Sequence, residues 1–274
     1  MQKTKIGIIG YGVVGQATAN GFKEKGDSII FYDKYKKSSS IKEVAEKSDF
    51  IFICLPTPYK GSKIDLSIID ENIAELVKYT NGTDKIIVLK STIVPGSTEK
   101  YAKKYPKSIF AFNPEFLTEA NAFADFLNPD RIVIGSKDKK ALDCLDEFYA
   151  DRFPGVPIYR SDAKTAEMVK YMANCFLATK VIFANEFNDL CQKLGINYTA
   201  VKGMVIADPR IGKSHLDITS VRGFGGKCFP KDTIAILGMF DEAGVDSALL
   251  STVWAKNLKI RKVRDWDDIP FVKS

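Results

Sequence analysis

The chain has 274 residues, of which 45% are hydrophobic and 27% are charged, and its formal net charge is +6. This length suffices for one large domain or two ordinary ones, and the composition is typical of a soluble globular protein. No apolar run reaches the roughly 20 residues that a membrane-spanning helix needs. The modest charge favours an anionic small molecule over nucleic acid as the partner.

The cysteines and the N-terminus indicate the cellular setting. The five cysteines lack the CxxC spacing of zinc sites and disulfide frameworks, and the single histidine, His215, argues against a histidine-ligated metal. The opening MQKTKIGIIGYG has no regions of a signal peptide. We therefore expect a reduced, cytoplasmic protein that binds no metal. The cysteines are Cys54, Cys144, Cys175, Cys191 and Cys228.

The first elements predict a dinucleotide site. The apolar run KIGII indicates a buried strand that enters Gly10-Tyr11-Gly12-Val13-Val14-Gly15, and QATANGFKEKG continues as a helix. A second strand, SIIFY, is followed by Asp33. Strand, G-x-G-x-x-G, helix, strand and acid form the Rossmann fingerprint in its required context. Gly10 makes the turn, Gly12 lets the pyrophosphate approach the helix N-terminus, and Gly15 permits close helix–strand packing.

Asp33 predicts which dinucleotide is bound. Its carboxylate can accept hydrogen bonds from the adenosine ribose hydroxyls and would repel a 2′-phosphate. We therefore predict NAD rather than NADP as the cofactor.

Strands and helices then continue to alternate. DFIFICLPTP reads as a strand and a proline-rich loop, DLSIIDENIAELVKYT as an amphipathic helix, and KIIVLKSTIVPG as another strand. SIFAFNPEF and RIVIGS read as the last strands. This pattern predicts an α/β fold, a Rossmann-type doubly wound parallel sheet over residues 1–160. Ligands bind at the carboxyl ends of such strands, so PTP, KST and NPE should meet at one crevice, with Pro56, Thr57 and Thr92 near the cofactor.

The second half is predicted to be helical. Ala163 to Gly195 has no proline or internal glycine and is apolar on most faces, which indicates a long buried helix after a domain boundary. We expect a helical central domain over residues 161–257 and a short tail over 258–274. Lys170 and Asn174 share a face of the long helix, although they could also be a lysine at the rim beside a helix-interior amide.

Two further stretches contain candidate reactive groups. Glu115 and Glu119 in NPEFLTE have the same spacing on a predicted helical turn, and that pair could equally be an exposed acidic face. GFGGKCFPKD places Cys228 after three glycines. Cysteine is the side chain most able to act as a nucleophile near neutral pH, although a glycine turn beside a structural thiol would read the same way.

Together these stretches resemble the UDP-glucose/GDP-mannose dehydrogenase family. The resemblance extends from residue 5 to about residue 257 and implies NAD-dependent oxidation of a nucleotide sugar's C6 alcohol to a carboxylate in two steps, with UDP-glucose favoured. The matching stretches are GYGVVG, LPTP, KSTIVPGS, NPEFLTEA, NPDRIVIG, AEMVKYMANCFLATKVIFANEF, DPRIG and GFGGKCFPKD.

The resemblance also implies roles for single residues. Cys228 would form a thiohemiacetal and then a thioester, Lys170 and Asn174 would stabilise charge on the C6 oxygen, and Asp232 would assist proton transfer. Glu115 would act as base or water positioner in hydrolysis, with Thr92 in the same water network. Glu119 and Lys231 would contact cofactor or substrate near the nicotinamide. The remaining expected substrate contacts are Phe116, Leu117, Gly225 and Arg210, the last offered across the interface of a homodimer.

Three departures from the family pattern bear on the substrate. Members normally continue into a third, nucleotide-binding domain, for which KIRKVRDWDDIPFVKS is too short. HLDITSV lacks the aromatic and Asn-rich sugar-loop pattern, and Thr118 and Ala120 stand where Arg and Gly are frequent. Two alternatives therefore stay open, a single-step β-hydroxyacid dehydrogenase and a noncatalytic NAD- or sugar-binding protein.

Overall fold

The computed structural model describes residues 3–267 and divides the chain into two compact units. The N-terminal unit comprises residues 1–57 and 65–170, and the C-terminal unit comprises residues 58–64 and 171–274. The sequence predicted domains at 1–160, 161–257 and 258–274, so the compact units differ by including 161–170 in the first unit and 58–64 in the second. Among the described residues, no helix is long and apolar enough to cross a membrane.

The strands alternate with helices along the N-terminal half of the chain. In chain order the strands are β1 (Lys5–Ile9), β2 (Ser28–Tyr32), β3 (Phe50–Ile53), β4 (Tyr59–Lys60), β5 (Lys63–Ile64), β6 (Ile86–Leu89), β7 (Ile109–Phe112), β8 (Ile132–Gly135) and β9 (Ile158–Ser161). The helices are α1 (Val13–Glu24), α2 (Ile41–Lys47), α3 (Ser67–Thr80), α4 (Ser97–Lys104), α5 (Ala122–Leu127), α6 (Lys139–Arg152), α7 (Ala163–Leu194), α8 (Tyr198–Val205), α9 (Phe229–Glu242) and α10 (Ala248–Ile260). Short 3-10 turns span Glu119–Asn121 and Asp265–Asp267.

Seven strands form the sheet of the N-terminal unit, in the order β2-β1-β3-β6-β7-β8-β9. All neighbouring pairs are parallel except β7 and β8, which are antiparallel and share the single pair Phe112–Gly135. The predicted Rossmann-type α/β class, with a helical region after it, is confirmed. The expectation that RIVIGS is the last strand is wrong, because β9 pairs with β8 beyond it. Only partly buried, β9 lacks the continuous apolar run that marks a central strand.

The core lies on both faces of this sheet. Successive side chains of a strand point to opposite faces. Accordingly Phe52 packs in one apolar cluster while Ile51 and Ile53 pack in the other, and in β6 Val88 and Leu89 divide in the same way. Helices on both faces bury these side chains, which is why the central strands read as continuous apolar runs.

The C-terminal unit contains most of α7, together with α8, α9, α10 and the β4–β5 hairpin. The hairpin packs so closely on α9 that a Cβ at Gly238 would lie 2.3 Å from the Ser62 carbonyl oxygen. The predicted long helix is present, but the expectation that it is buried on most faces is wrong for the single chain. Seven of its large apolar side chains are exposed, namely Met168, Met172, Phe176, Phe183, Phe187, Leu190 and Leu194.

Candidate active site

The glycine-rich turn between β1 and α1 has the geometry of a dinucleotide cradle. Gly10 has φ +92°, and a Cβ there would lie 2.6 Å from the Cys54 carbonyl oxygen. At Gly15 a Cβ would lie 2.0 Å from the Gly10 carbonyl oxygen, so only glycine lets α1 pack this closely on the turn. Gly12 is the N-cap of α1, and apart from Gly12 itself and its chain neighbours no heavy atom of residues 3–267 lies within 4 Å of a Cβ placed on it. The turn therefore has the tight packing behind and the open approach in front that a pyrophosphate requires.

Asp33 directly follows β2 and is held beside this turn. Its Oδ2 accepts a hydrogen bond from the Tyr11 amide at 2.7 Å, and its Oδ1 accepts one from the Tyr35 amide at 2.9 Å. The Tyr11 ring stacks on Phe31 with centroids 3.9 Å apart. The acid and the glycine turn are thus one rigid assembly, as a ribose-binding carboxylate requires. Lys36, whose Nζ donates to the Tyr11 carbonyl at 2.7 Å, also belongs to it and was not predicted from the sequence.

The loops after β3 and β6 meet at the carboxyl edge of the sheet. The Thr57 hydroxyl donates to the Thr92 carbonyl at 2.8 Å, and the Ser91 hydroxyl donates to the Leu55 carbonyl at 2.7 Å. Thr57 and Thr92 are buried, and Pro56 in the PTP loop is half-buried. The expected meeting of the PTP and KST loops is therefore present.

The loop after β7 supplies a buried ion pair. The Lys170 ammonium donates to the Glu115 carbonyl oxygen at 2.7 Å and lies 2.9 Å from its Oε1. Both side chains are more than nine-tenths buried. A buried carboxylate and a buried ammonium are each costly alone, and their pairing offsets part of that cost.

The expectation that Glu115 and Glu119 share a helical turn is wrong. Glu115 lies in an extended loop and is buried, whereas Glu119 begins the 3-10 turn and is exposed. The cause is tertiary, because the amide and hydroxyl of Thr118 both donate to Asp125 and hold the chain extended at Thr118.

Two neighbouring side chains complete this loop. Phe116 is half-buried, with the Arg131 guanidinium 4.1 Å and the Lys170 ammonium 5.8 Å from its ring centroid. Leu117 is half-buried and packs against the core cluster that contains Phe52.

Lys90 and Glu167 are buried charged residues of the N-terminal unit that were not predicted from the sequence. Lys90 follows β6 and donates to Asn113 Oδ1 at 2.6 Å. Glu167, on α7, accepts a hydrogen bond from the Gly96 amide and, at 2.9 Å and 2.6 Å, from the amide and hydroxyl of Thr98. Burial raises the pKa of Glu167. Its position three residues before Lys170 was the available signal, because the two share a helical face.

In the C-terminal unit Asp232 joins two of the predicted site residues. Its Oδ2 accepts a hydrogen bond from the Asn174 amide group at 2.6 Å, and its Oδ1 lies 2.6 Å from the Lys231 ammonium. Asp232 is 1% exposed. The pairing leaves the carboxylate fixed on both sides, a geometry suited to receiving or returning a proton.

Cys228 occupies the N-cap position of α9 and its side chain is exposed. Pro230 lies in the first turn, where its missing N–H removes no helical hydrogen bond. The partial positive charge of a helix N-terminus stabilises the anionic form of a thiol. Exposure and this position distinguish Cys228 from a structural thiol.

The glycines before Cys228 serve the packing of their own loop. Gly223 and Gly226 have φ +51° and +75°. At Gly225 a Cβ would lie 2.3 Å from both Arg261 Nη2 and Asp265 Oδ1. The loop therefore needs glycine for local reasons, and access of a ligand to Gly225 stays a prediction.

Arg210 is exposed in its own chain and pairs with Asp208, whose carboxylate lies 2.6 Å from its Nη2. The side-chain hydrogen bonds of Arg210 within residues 3–267 are made to Asp208, and its role across an interface stays a prediction.

Comparison with known proteins shows which family the chain belongs to. Residues 32–152 match the NAD binding domain, and residues 164–259 the central domain, of the UDP-glucose/GDP-mannose dehydrogenase family. The chain belongs to this family. The resemblance found in the sequence is confirmed, and so is the prediction of NAD as the cofactor.

Individual relatives of the family agree with this result. A UDP-glucose 6-dehydrogenase of Rickettsia conorii is 38% identical over 230 residues, which cover 82% of this chain and 52% of that protein. The chain thus spans about half the length of this curated relative. A UDP-glucose dehydrogenase structure from Pyrobaculum islandicum has a TM-score of 0.83 at 29% identity, covering 94% of this chain and 68% of that one.

A third comparison bears on the fold alone. A 3-hydroxyisobutyrate dehydrogenase structure from Mycobacterium tuberculosis has a TM-score of 0.74 at 15% identity and covers 94% of both chains. The fold is therefore shared with that structure.

Proposed function

We propose that this protein oxidises the C6 alcohol of a nucleotide sugar, UDP-glucose to UDP-glucuronate, by NAD-dependent four-electron chemistry through a thioester on Cys228. The observation that carries the proposal is the exposed Cys228 at the N-terminus of α9, four residues before the buried Asp232. A single hydride transfer needs no nucleophile, whereas oxidation of an aldehyde to an acid benefits from one.

In the first oxidation, the alcohol loses its proton and a hydride to become an aldehyde. NAD, when bound, supplies the hydride acceptor in this step and the next. Lys170 and Asn174 stabilise negative charge on the C6 oxygen, following the family pattern. Asp232, which accepts a hydrogen bond from Asn174, takes part in the accompanying proton transfer with Lys170.

In the second oxidation, the Cys228 thiolate adds to the aldehyde carbon and a carbon–sulfur bond forms. The addition leaves a thiohemiacetal oxyanion, and loss of a hydride from its carbon re-forms the carbonyl bond and gives the thioester. Water then attacks the acyl carbon, the carbon–sulfur bond breaks, and Cys228 leaves as a thiolate. Glu115 accepts the proton of the water, with Thr92 in the same network.

The remaining predicted contacts keep their proposed roles. The glycine turn and Asp33 hold the cofactor, with the intervening Tyr11, Val13 and Val14 and with Pro56 and Thr57. Glu119 and Lys231 contact cofactor or substrate near the nicotinamide, and Phe116, Leu117 and Gly225 contact the sugar nucleotide.

A homodimer in the cytoplasm is part of the proposal. The exposed side chains of α7 recur at spacings of three, four and seven residues from Met172 to Leu194, which aligns them in a continuous apolar stripe. A second copy that covers this stripe could also offer Arg210, which is exposed in its own chain.

Cys228→Ser tests the mechanism, with Cys144→Ser as the matched control outside the proposed site. The wild type should release two NADH per sugar, as measured by absorbance, and no free aldehyde. Cys228→Ser should lose conversion to the acid while NAD binding stays within about twofold, because the cofactor turn lies elsewhere in the sequence. Full activity of Cys228→Ser with one NADH per turnover would instead establish single-step hydroxyacid oxidation.

A panel of UDP-glucose, UDP-ManNAc, GDP-mannose and simple hydroxyacids identifies the substrate. NAD binding without NADH formation from any of them would identify a noncatalytic binding protein.

A further inference from the structure

Lys90 is a buried cation for which the proposed reaction gives no role. It directly follows β6 and is 4% exposed. Its ammonium donates to Asn113 Oδ1 at 2.6 Å. A buried ammonium is costly unless it is paired, and Asn113 is a neutral partner. Within residues 3–267, no carboxylate is in direct contact with this buried ammonium.

Asn113 fixes where this ammonium lies. Its Oδ1 also accepts a hydrogen bond from the Tyr149 hydroxyl at 2.7 Å, and its Nδ2 donates to the Val133 carbonyl at 2.8 Å. With both ends of its side-chain amide bound, Asn113 cannot turn away from Lys90. Asn113 is also two residues before Glu115, so one short segment carries both the anchor of Lys90 and the proposed base.

Lys90 and Glu115 line the same cavity, which has a volume of about 260 Å³. Glu115 Oε1 pairs with Lys170, whereas Glu115 Oε2 is buried and accepts no hydrogen bond from residues 3–267. One oxygen of the proposed base is therefore left for a ligand such as water, in a cavity large enough to hold several.

The charges around Glu115 favour attraction to Lys90. Burial lowers the pKa of Lys90 to about 8, the carboxylate of Glu115 opposes this shift, and the ammonium of Lys170 adds to it. The Cys54 thiol acts on Lys90 in the same direction as Glu115. The other charged or titratable groups lining the cavity are Asp125, Asp130, Arg131 and Tyr149. Of these, Asp125 accepts hydrogen bonds from Thr118 and Arg131 stacks on Phe116.

We propose that Lys90 is a positioning residue for the hydrolytic step: its ammonium, held by Asn113 at the cavity, stabilises Glu115 as the ionised base. Lys170, which pairs with Glu115, also acts at the C6 oxygen in the proposed oxidation. A second cation lining the same cavity attracts the Glu115 carboxylate independently of Lys170. The inference rests on the proposed function and adds a residue that acts through Glu115 without touching the substrate.

Two substitutions separate charge from hydrogen bonding. Lys90→Met removes the charge and the donor, whereas Lys90→Gln removes the charge and retains a donor for Asn113. Tyr149→Phe is the matched control, because it removes the neutral donor to the same Asn113 oxygen and leaves the Lys90 charge in place. Rapid-quench measurements with NAD and UDP-glucose would follow the first NADH formed, the steady-state rate, and the acyl adduct on Cys228 by intact-protein mass.

Both Lys90 variants should form the first NADH at close to the wild-type rate, accumulate the acyl adduct, and turn over about tenfold more slowly, as expected when only one step is impaired. Tyr149→Phe should behave as the wild type. In a Glu115→Gln background, Lys90→Gln should cause less than about a twofold further loss, because residues that act through one another are not additive.

Three results would overturn the inference. The first is a Lys90→Gln variant that accumulates no acyl adduct and turns over at the wild-type rate. The second is equal slowing of every step in both variants. The third is a loss of turnover by Lys90→Gln that is as large in the Glu115→Gln background as in the wild type. NAD binding and the urea midpoint confirm that each variant is folded, and Lys90→Gln remains informative where Lys90→Met does not fold. A wild type that forms no NADH would refute the proposed function and the role of Lys90 with it, whereas an active wild type with unaffected Lys90 variants refutes the role of Lys90 alone.

Discussion

Replacing Lys90 by methionine should change how the stability of the protein depends on pH. Burial lowers the pKa of Lys90 from the ordinary 10.5 to about 8. Between these values the folded chain has released a proton that the unfolded chain still binds. The free energy of unfolding therefore rises with pH in this window, and the contribution of Lys90 is lowest below about pH 8.

The size of the effect follows from the same shift. One pKa unit corresponds to about 1.36 kcal/mol, so the full contribution of Lys90 is about 3 kcal/mol. Integrated from about pH 7 to about pH 9.5, it amounts to about 2 kcal/mol. Lys90→Met lacks this gain, because methionine has no proton to release. The stability of the variant relative to the wild type should fall by that amount over the range.

Urea unfolding of both proteins at several pH values measures this difference. At each pH, the free energy of unfolding of Lys90→Met is subtracted from that of the wild type. This subtraction cancels the contributions of other groups that titrate in the range, provided that the m values of the two proteins agree. Lys103→Met is the control, because Lys103 is exposed on α4 and its charge stays in water in both states. A difference between wild type and Lys90→Met that does not vary with pH would refute the assignment of Lys90 as a buried, weakly paired ammonium.

Three further predictions concern the cofactor, the interface and the α4 loop. Asp33→Ala should weaken NAD binding about tenfold and reduce the preference over NADP, as measured by fluorescence titration; unchanged selectivity would exclude Asp33 as the ribose acceptor. Phe183→Glu, on the exposed stripe of α7, should convert a dimer to a monomer in light scattering, whereas a dimer that persists would place the interface elsewhere. Glu167→Gln should lower the free energy of unfolding by about 1–3 kcal/mol, because an amide cannot accept at both oxygens from Gly96 and Thr98; a urea midpoint equal to that of the wild type would contradict this.

Local patterns in the sequence predicted the sheet and the glycine turn well. Each depends on neighbours in the chain, such as the run FIFI of β3 or the spacing of Gly10, Gly12 and Gly15. Residues fixed by distant contacts were missed. Lys90 is held in the interior by a hydrogen bond to Asn113, whose side-chain oxygen also accepts from the Tyr149 hydroxyl. Glu119 lies outside the expected helical turn because the Thr118 hydroxyl donates to Asp125. Tertiary hydrogen bonds overrode the local preference in both cases.

Burial of the long helix was misjudged for a related reason. Its sequence is apolar on most faces, which predicts that those faces favour burial. The sequence does not identify which groups cover each face. Phe183 and Leu190 are exposed in the single chain although their residue type favours the interior. Periodicity therefore located α7 correctly but did not identify which of its faces are exposed in the single chain.

The β4–β5 hairpin has a consequence for how the chain acquires its structure. Tyr59 of the hairpin shares a small apolar cluster with Trp266, about 200 residues later, and contacts of such high sequence separation slow folding. The C-terminal unit cannot complete this cluster until Trp266 has left the ribosome. Cutting the gene at the boundary near residue 160 would remove the hairpin from its unit and leave Trp266 without Tyr59. Expression of the second half alone should therefore give an aggregation-prone product, and a permuted gene that joins residues 58–64 to that half is the rational design for obtaining it in isolation.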